Sequence, residues 1–129
     1  MLLNDQVAVV TGAAQGIGLA VATLLAARGA RVAGWDIDPE HGAAMAGLPG
    51  TGTAFDCDIT NLASVEAAYA ATCDQMGVPT ILVNSAGIAG PNAPVETYDV
   101  DAWHQVIDIN LNGTFYVNRV CVPGMKAQG

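Results

Sequence analysis

Residues 7–18, Val-Ala-Val-Val-Thr-Gly-Ala-Ala-Gln-Gly-Ile-Gly, form a short apolar run that empties into three spaced glycines and then into a helical period. A buried strand followed at once by a helix is the opening of a βαβ unit, so this segment restricts the fold before anything else is read. Gly12 permits a sharp turn off the strand. Gly16 lets backbone come close to a pyrophosphate, and Gly18 lets the next helix pack tightly. The unpaired N–H groups and dipole of that helix favour an anion at its N-terminus, so a phosphate site is expected without any lysine. Gln15 and Ile17, set between the glycines, belong to the same expected contact surface.

Apolar runs and helical periods alternate along the chain. Strands are expected at about 7–11, 31–35, 52–57 and 80–84, each short, apolar and bounded by glycine, proline or polar residues. The first helix carries Ile17, Val21, Leu24 and Arg28 near helical spacing and stops at Gly29. A weaker helical stretch follows Pro39 and ends around 47–50. A third starts near Thr60 or Asn61, is expected to bury Val65, Tyr69, Cys73 and Met76, and ends at Gly77. This alternation predicts an α/β fold: a Rossmann-type, doubly wound parallel sheet with right-handed crossovers and strand order 3-2-1-4.

The last helix is expected from about Asp101 to Val122, roughly 30 Å long at 1.5 Å per residue. Its stripe runs Trp103, Val106 or Ile107, Asn110, Thr114, Val117 and Cys121. Asn110 is an amide where the period calls for a hydrocarbon, and a buried amide must find partners.

A length of 129 residues with 52% hydrophobic residues and mean hydropathy +0.38 fits one core-forming domain. Twelve acidic residues against four basic ones give a net charge of −8, which argues against nucleic acid and anionic membranes as partners. The four cations, Arg28, Arg31, Arg119 and Lys126, form no run. Cys57, Cys73 and Cys121 are too widely spaced for a CxxC pair or a metal set, so reduced, packed thiols and no metal are expected. No apolar stretch reaches the ~18 residues of a membrane span, and the N-terminus has no basic leader region. The default compartment is the cytoplasm.

Asp36 closes the second strand, 18 residues past Gly18. A carboxylate there can accept both hydroxyls of an adenosine ribose and repels a 2′-phosphate, and Ala13, Ala14 and Gln15 supply no cation to receive one. The expected cofactor is therefore NAD rather than NADP, with Ile37 beside Asp36 in the same site. Asp58, followed by Ile59, either accepts from an adenine amino group or prepares the N-terminus of the next helix. After the fourth strand, Asn84 precedes Ser85, Ala86 and Gly87, small residues that let backbone approach a ribose. Asn84 itself can equally hold the glycine loop in shape.

Together Thr11-Gly12-x-x-x-Gly16-Ile17-Gly18, Asp36, Asp58-Ile59-Thr60, Asn84-Ser85-Ala86-Gly87 and Asp108-Ile109-Asn110-Leu111-Asn112-Gly113 resemble the short-chain dehydrogenase/reductase family over nearly the whole chain. The family's Asn-Asn-Ala-Gly element has Ser85 at its second position here, which implies a local change in hydrogen bonding. The resemblance implies NAD-dependent hydride transfer between an alcohol and a carbonyl, and homo-oligomers, usually tetramers. It makes Asn110 one of four catalytic residues, holding a water in a proton relay.

The other three family residues are a serine and a Tyr-x-x-x-Lys pair. Tyr69, Tyr98 and Tyr116 have no lysine four residues on, and the only lysine is Lys126. A tyrosine needs a nearby cation to reach a useful pKa, so these residues alone are not expected to turn over substrate. The fourth strand, Ile81-Leu82-Val83, reads as a central strand left at an open edge, which is an aggregation hazard. These residues read as the cofactor-binding fragment of such a dehydrogenase, with a non-catalytic NAD-binding module or an inactive remnant as the alternative; either the chain is a fragment or another chain covers the open edge.

Overall fold

The computed structural model describes residues 2–129. Four strands, β1 (Val7–Thr11), β2 (Arg31–Asp36), β3 (Gly52–Asp56) and β4 (Ile81–Asn84), form one sheet in the order β3-β2-β1-β4. Every pairing is parallel, with Val9 opposite Ala33 on one side and Leu82 on the other. The expected doubly wound order is therefore observed. β1 has a neighbour on both edges and is buried at all five positions. β4 lies at the sheet edge, half-buried along Ile81–Val83.

The connections are helical: α1 (Gly16–Ala27), α2 (His41–Ala46), α3 (Leu62–Met76), α4 (Val100–Ile107) and α5 (Thr114–Gln128), with a short 3₁₀ turn at Val95–Thr97. Because strand side chains alternate between faces, the sheet carries two apolar layers. On one face Val9, Trp35 and Phe55 pack with Val65 of α3 and with Val117 and Cys121 of α5. On the other, Val10 and Val32 pack with Ala22 and Ala26 of α1 and Met45 of α2. No helix of the described residues is long and apolar enough to cross a membrane.

Two expectations about helix faces are corrected, in α3 and in the long last helix, while α1 packs through Gly18 as expected. α1 buries Gly18, Ala22 and Ala26, whereas Ile17 is 78% and Leu24 55% exposed. The helix starts against the Gly12 carbonyl, where a Cβ on Gly18 would collide, so only small residues fit on that face. α3 buries Val65 and Met76 as expected, but Ala68 and Thr72 take the places given to Tyr69 and Cys73. Trp35 explains the rotation. Its Nε1 donates to Thr72 Oγ1 at 3.0 Å, and that hydroxyl donates to the Ala68 carbonyl at 2.7 Å.

The long helix is not uniform either. Between α4 and α5 the residues Asp108–Gly113 form a π-helical segment, and the helix continues through Pro123 to Gln128. A π segment holds an extra residue in the turn and shifts every later side chain around the axis, so one stripe cannot serve both ends. Val117 and Cys121 are buried as expected, but Trp103 is 54% exposed and Asn110 is exposed.

Candidate functional site

A cleft of about 770 Å³ opens at the carboxyl ends of the strands. Gly12, Gln15 and Ile17 line it after β1, Asp36–Asp38 after β2, Cys57–Thr60 after β3 and Ser85–Ile88 after β4. Gln105, Asp108 and Ile109 complete the wall. The connection from β1 leads to β2 on one side while β4 lies on the other, so the cleft sits at the switch point where such sheets bind ligands. Most of the residues singled out from the sequence converge here. Gly16, Gly18, Asn84 and Asn110 are not among the residues that line it.

The glycine loop divides into parts with separate duties. Gly12 has φ +66°, donates its N–H to the Trp35 carbonyl at 2.9 Å, and lies so near β4 that a Cβ would stand 2.8 Å from Ala86 Cα. Gly16 has φ +60° with no heavy atom within 4 Å of where a Cβ would be. Open space on a left-handed glycine is what a close-approaching phosphate requires. Gln15 leaves the first turn of α1 without a side-chain cap, so its N–H groups remain available to an anion.

Thr11, whose role the sequence reading missed, ties the end of β1 to the chain leaving edge strand β4 beneath the cleft. Its buried Oγ1 accepts from the N–H groups of Ser85 and Ala86, both at 3.1 Å. A hydroxyl ending an otherwise apolar strand was the available signal.

Asp36 is held on both oxygens. The Ala14 N–H donates to Oδ2 and the Asp38 N–H to Oδ1, each at 3.0 Å. Asp58 Oδ1 accepts from the N–H of Thr60 at 3.0 Å and its hydroxyl at 2.7 Å, while Asn61 caps α3 by accepting from Ser64 N at 3.2 Å. Preparation of the helix thus falls to Asn61, and Asp58 shapes the turn that lines the cleft. The Asn84 amide turns away, donating to Asn118 Oδ1 of α5 at 2.9 Å.

Asn110 engages a single residue with both ends of its amide. Ile88 N donates to Oδ1 at 2.9 Å and Nδ2 donates to the Ile88 carbonyl at 2.7 Å. The amide expected to be buried in a helical row is instead turned out by the π segment to pin the loop after Gly87.

The electrostatics of the cleft are one-sided. Asp36, Asp38, Asp58 and Asp108 line it, and no lysine or arginine does. Burial, opposed by a hydrogen bond with Ser64 and aided by Asp58, pushes the Cys57 thiol up to about 11, so it is an uncharged wall at neutral pH. All three cysteines are free, and the described residues contain no cluster suited to a metal ion. Tyr69, Tyr98 and Tyr116 do not line the cleft: burial and then Cys73 push Tyr69 up to about 12, and Tyr98 packs edge-on against Trp103 at 6.1 Å. Lys126 lies with Phe115 and Arg119 along a separate groove on α5.

A model of the short chain dehydrogenase family matches residues 6–129, from the residue before β1 to the end of α5. The chain belongs to the short-chain dehydrogenase family. The D-threitol dehydrogenase of Mycolicibacterium smegmatis is 44% identical over 131 residues, covering 98% of this chain and 50% of that protein. The 2-dehydro-3-deoxy-L-rhamnonate dehydrogenase (NAD(+)) of a Sphingomonas species is 41% identical over 122 residues, 95% of this chain and 49% of that protein. Among solved structures, a short-chain type dehydrogenase/reductase from Mycobacterium ulcerans superposes with TM-score 0.94 at 30% identity, covering all of this chain and half of that one. This short-chain dehydrogenase chain thus spans about half the length of the relatives it matches, and the shared half is the NAD(P)-binding Rossmann fold.

Proposed function

We propose that these 129 residues are an NAD-binding module of the short-chain dehydrogenase family, selective against NADP, that supplies no general acid of its own. The observation that carries this is Asp36, fixed by the Ala14 and Asp38 N–H groups at the edge of a cleft lined by carboxylates and no cation. Each Asp36 oxygen keeps a further lone pair for a ribose hydroxyl, whereas a 2′-phosphate would meet the Asp36 carboxylate in a cleft that no lysine or arginine lines. The cofactor named for the rhamnonate dehydrogenase relative points the same way.

In this reading the α1 N-terminus and the open side of Gly16 take the pyrophosphate, with Gln15 and Ile17 beside it. Ile37 and Ile59 hold the adenine between apolar walls, the second oxygen of Asp58 accepts from its amino group, and Ala86 and Gly87 receive the other ribose. When bound, NAD supplies hydride exchange at its nicotinamide. A second reading, hydride transfer between an alcohol and a carbonyl, belongs to a polypeptide in which a serine and a Tyr-x-x-x-Lys pair adjoin this cleft. Asn110 favours it, because its clamp on Ile88 fixes the loop that borders the reacting end.

Calorimetric titration with NAD and NADP tests the proposal. NAD is expected to bind below millimolar concentration, NADP at least about tenfold more weakly, and Asp36→Asn to remove most of that difference. Failure to bind NAD at millimolar concentration, or equal binding of the two, overturns it.

A further inference from the structure

The chain leaves Asp36 through Ile37 and Asp38, which line the cleft, and regains regular structure only at His41, the first residue of α2. One side chain fixes that return. His41 is 5% exposed, and its Nε2 lies 2.7 Å from Oδ1 of Asp56, the last residue of β3. Asp56 is registered opposite Asp36 across the β2–β3 ladder. A carboxylate only accepts, so the imidazole donates from Nε2.

Its other nitrogen, Nδ1, is buried without a hydrogen-bond partner among the described residues. An apolar side chain would fill the same space without that desolvation cost, so packing alone does not explain an imidazole here. What it adds is the bond to Asp56.

That bond closes a belt around Asp36. The Ala14 N–H donates to Asp36, and so does the Asp38 N–H. Asp38 in turn accepts from Glu40 N on its side chain at 2.8 Å and from His41 N on its carbonyl at 3.1 Å. His41 then reaches β3. We propose that His41 is a positioning residue for cofactor selection: through Asp56 it holds the 37–40 turn, and with it the Asp36 carboxylate, in the arrangement that discriminates NAD from NADP. The inference rests on the NAD reading above.

The test is the ratio of NADP to NAD dissociation constants, measured by calorimetry on the whole chain alongside thermal melting. His41→Leu and Asp56→Ala are expected to lower that ratio about fivefold, the scale of one hydrogen bond. His41→Gln, whose amide places a donor where Nε2 stands, is expected to restore it to within about twofold. A merely structural histidine would lower the melting temperature and weaken both ligands equally, so an unchanged ratio overturns the proposal. The Asp56 side chain is 97% exposed, so Asp56→Ala keeps the measurement readable should His41→Leu fail to fold. A wild-type chain with no preference for NAD overturns the NAD reading and this inference with it. A wild-type preference that survives Asp56→Ala overturns this inference alone.

Discussion

Gly12 and Gly16 share a residue type and a left-handed backbone but occupy opposite surroundings. Alanine at either costs about 1–2 kcal/mol for the positive φ. At Gly12 the new methyl also meets the Ala86 backbone at 2.8 Å, and that backbone is tied to Thr11 and cannot withdraw. At Gly16 it meets nothing. Gly12→Ala is therefore expected to destabilise by roughly 3 kcal/mol. Gly16→Ala should stay within about 2 kcal/mol of wild type yet lose NAD affinity at least about tenfold. Chemical denaturation and ligand titration on the two variants separate these outcomes. The glycine spacing and the open side of Gly16 were legible from sequence because turn chemistry is local; that Gly12 lies against the Ala86 backbone, 74 residues on, was not. Asn110 teaches the same lesson in reverse: its polar character in an apolar row marked it, but its partner, Ile88, lies 22 residues away.

At the scale of elements, β2 and α3 are joined by the bond from Trp35 to Thr72, in full burial. Thr72→Val keeps the shape and removes the acceptor, leaving the indole N–H without a partner, and should cost about 1–3 kcal/mol in urea unfolding. Thr72→Ser should retain most of the stability. Strand positions were readable because each strand is a short apolar run between breakers, and all four were expected within a residue or two of where they lie. Helix faces were less readable. In α1, α3 and the π-interrupted helix the buried side was set by what lies opposite: a carbonyl at Gly12, an indole at Trp35 and a shifted turn at Asp108–Gly113.

For the molecule as a whole, the buried thiols make stability depend on alkaline pH. Burial first, and then neighbouring thiols, push Cys121 from an ordinary 9.0 up to about 12, and Cys57 rises to about 11. The folded state keeps these protons after the unfolded chain has begun to release them. Their contribution is thus complete below about pH 9 and is lost as pH rises through 11 and toward 12. Melting temperatures recorded from pH 8 to 11 should fall through this window, and Cys121→Val should flatten the fall. A slope identical in that variant would assign the loss to other groups.

The sequence by itself determined the strands, the spaced glycine turn and the family resemblance, because these rest on local chemistry (apolar runs, glycines at set spacing, a carboxylate ending a strand), and the βαβ alternation with right-handed crossovers then gave the strand order. Only the tertiary structure decided which atoms meet. The belt around Asp36, the Thr11 tie beneath the cleft, the outward turn of Asn110 and the indole that rotates α3 all join residues distant in the chain. Such contacts depend on the distances between packed elements, and no periodicity in a single sequence encodes them.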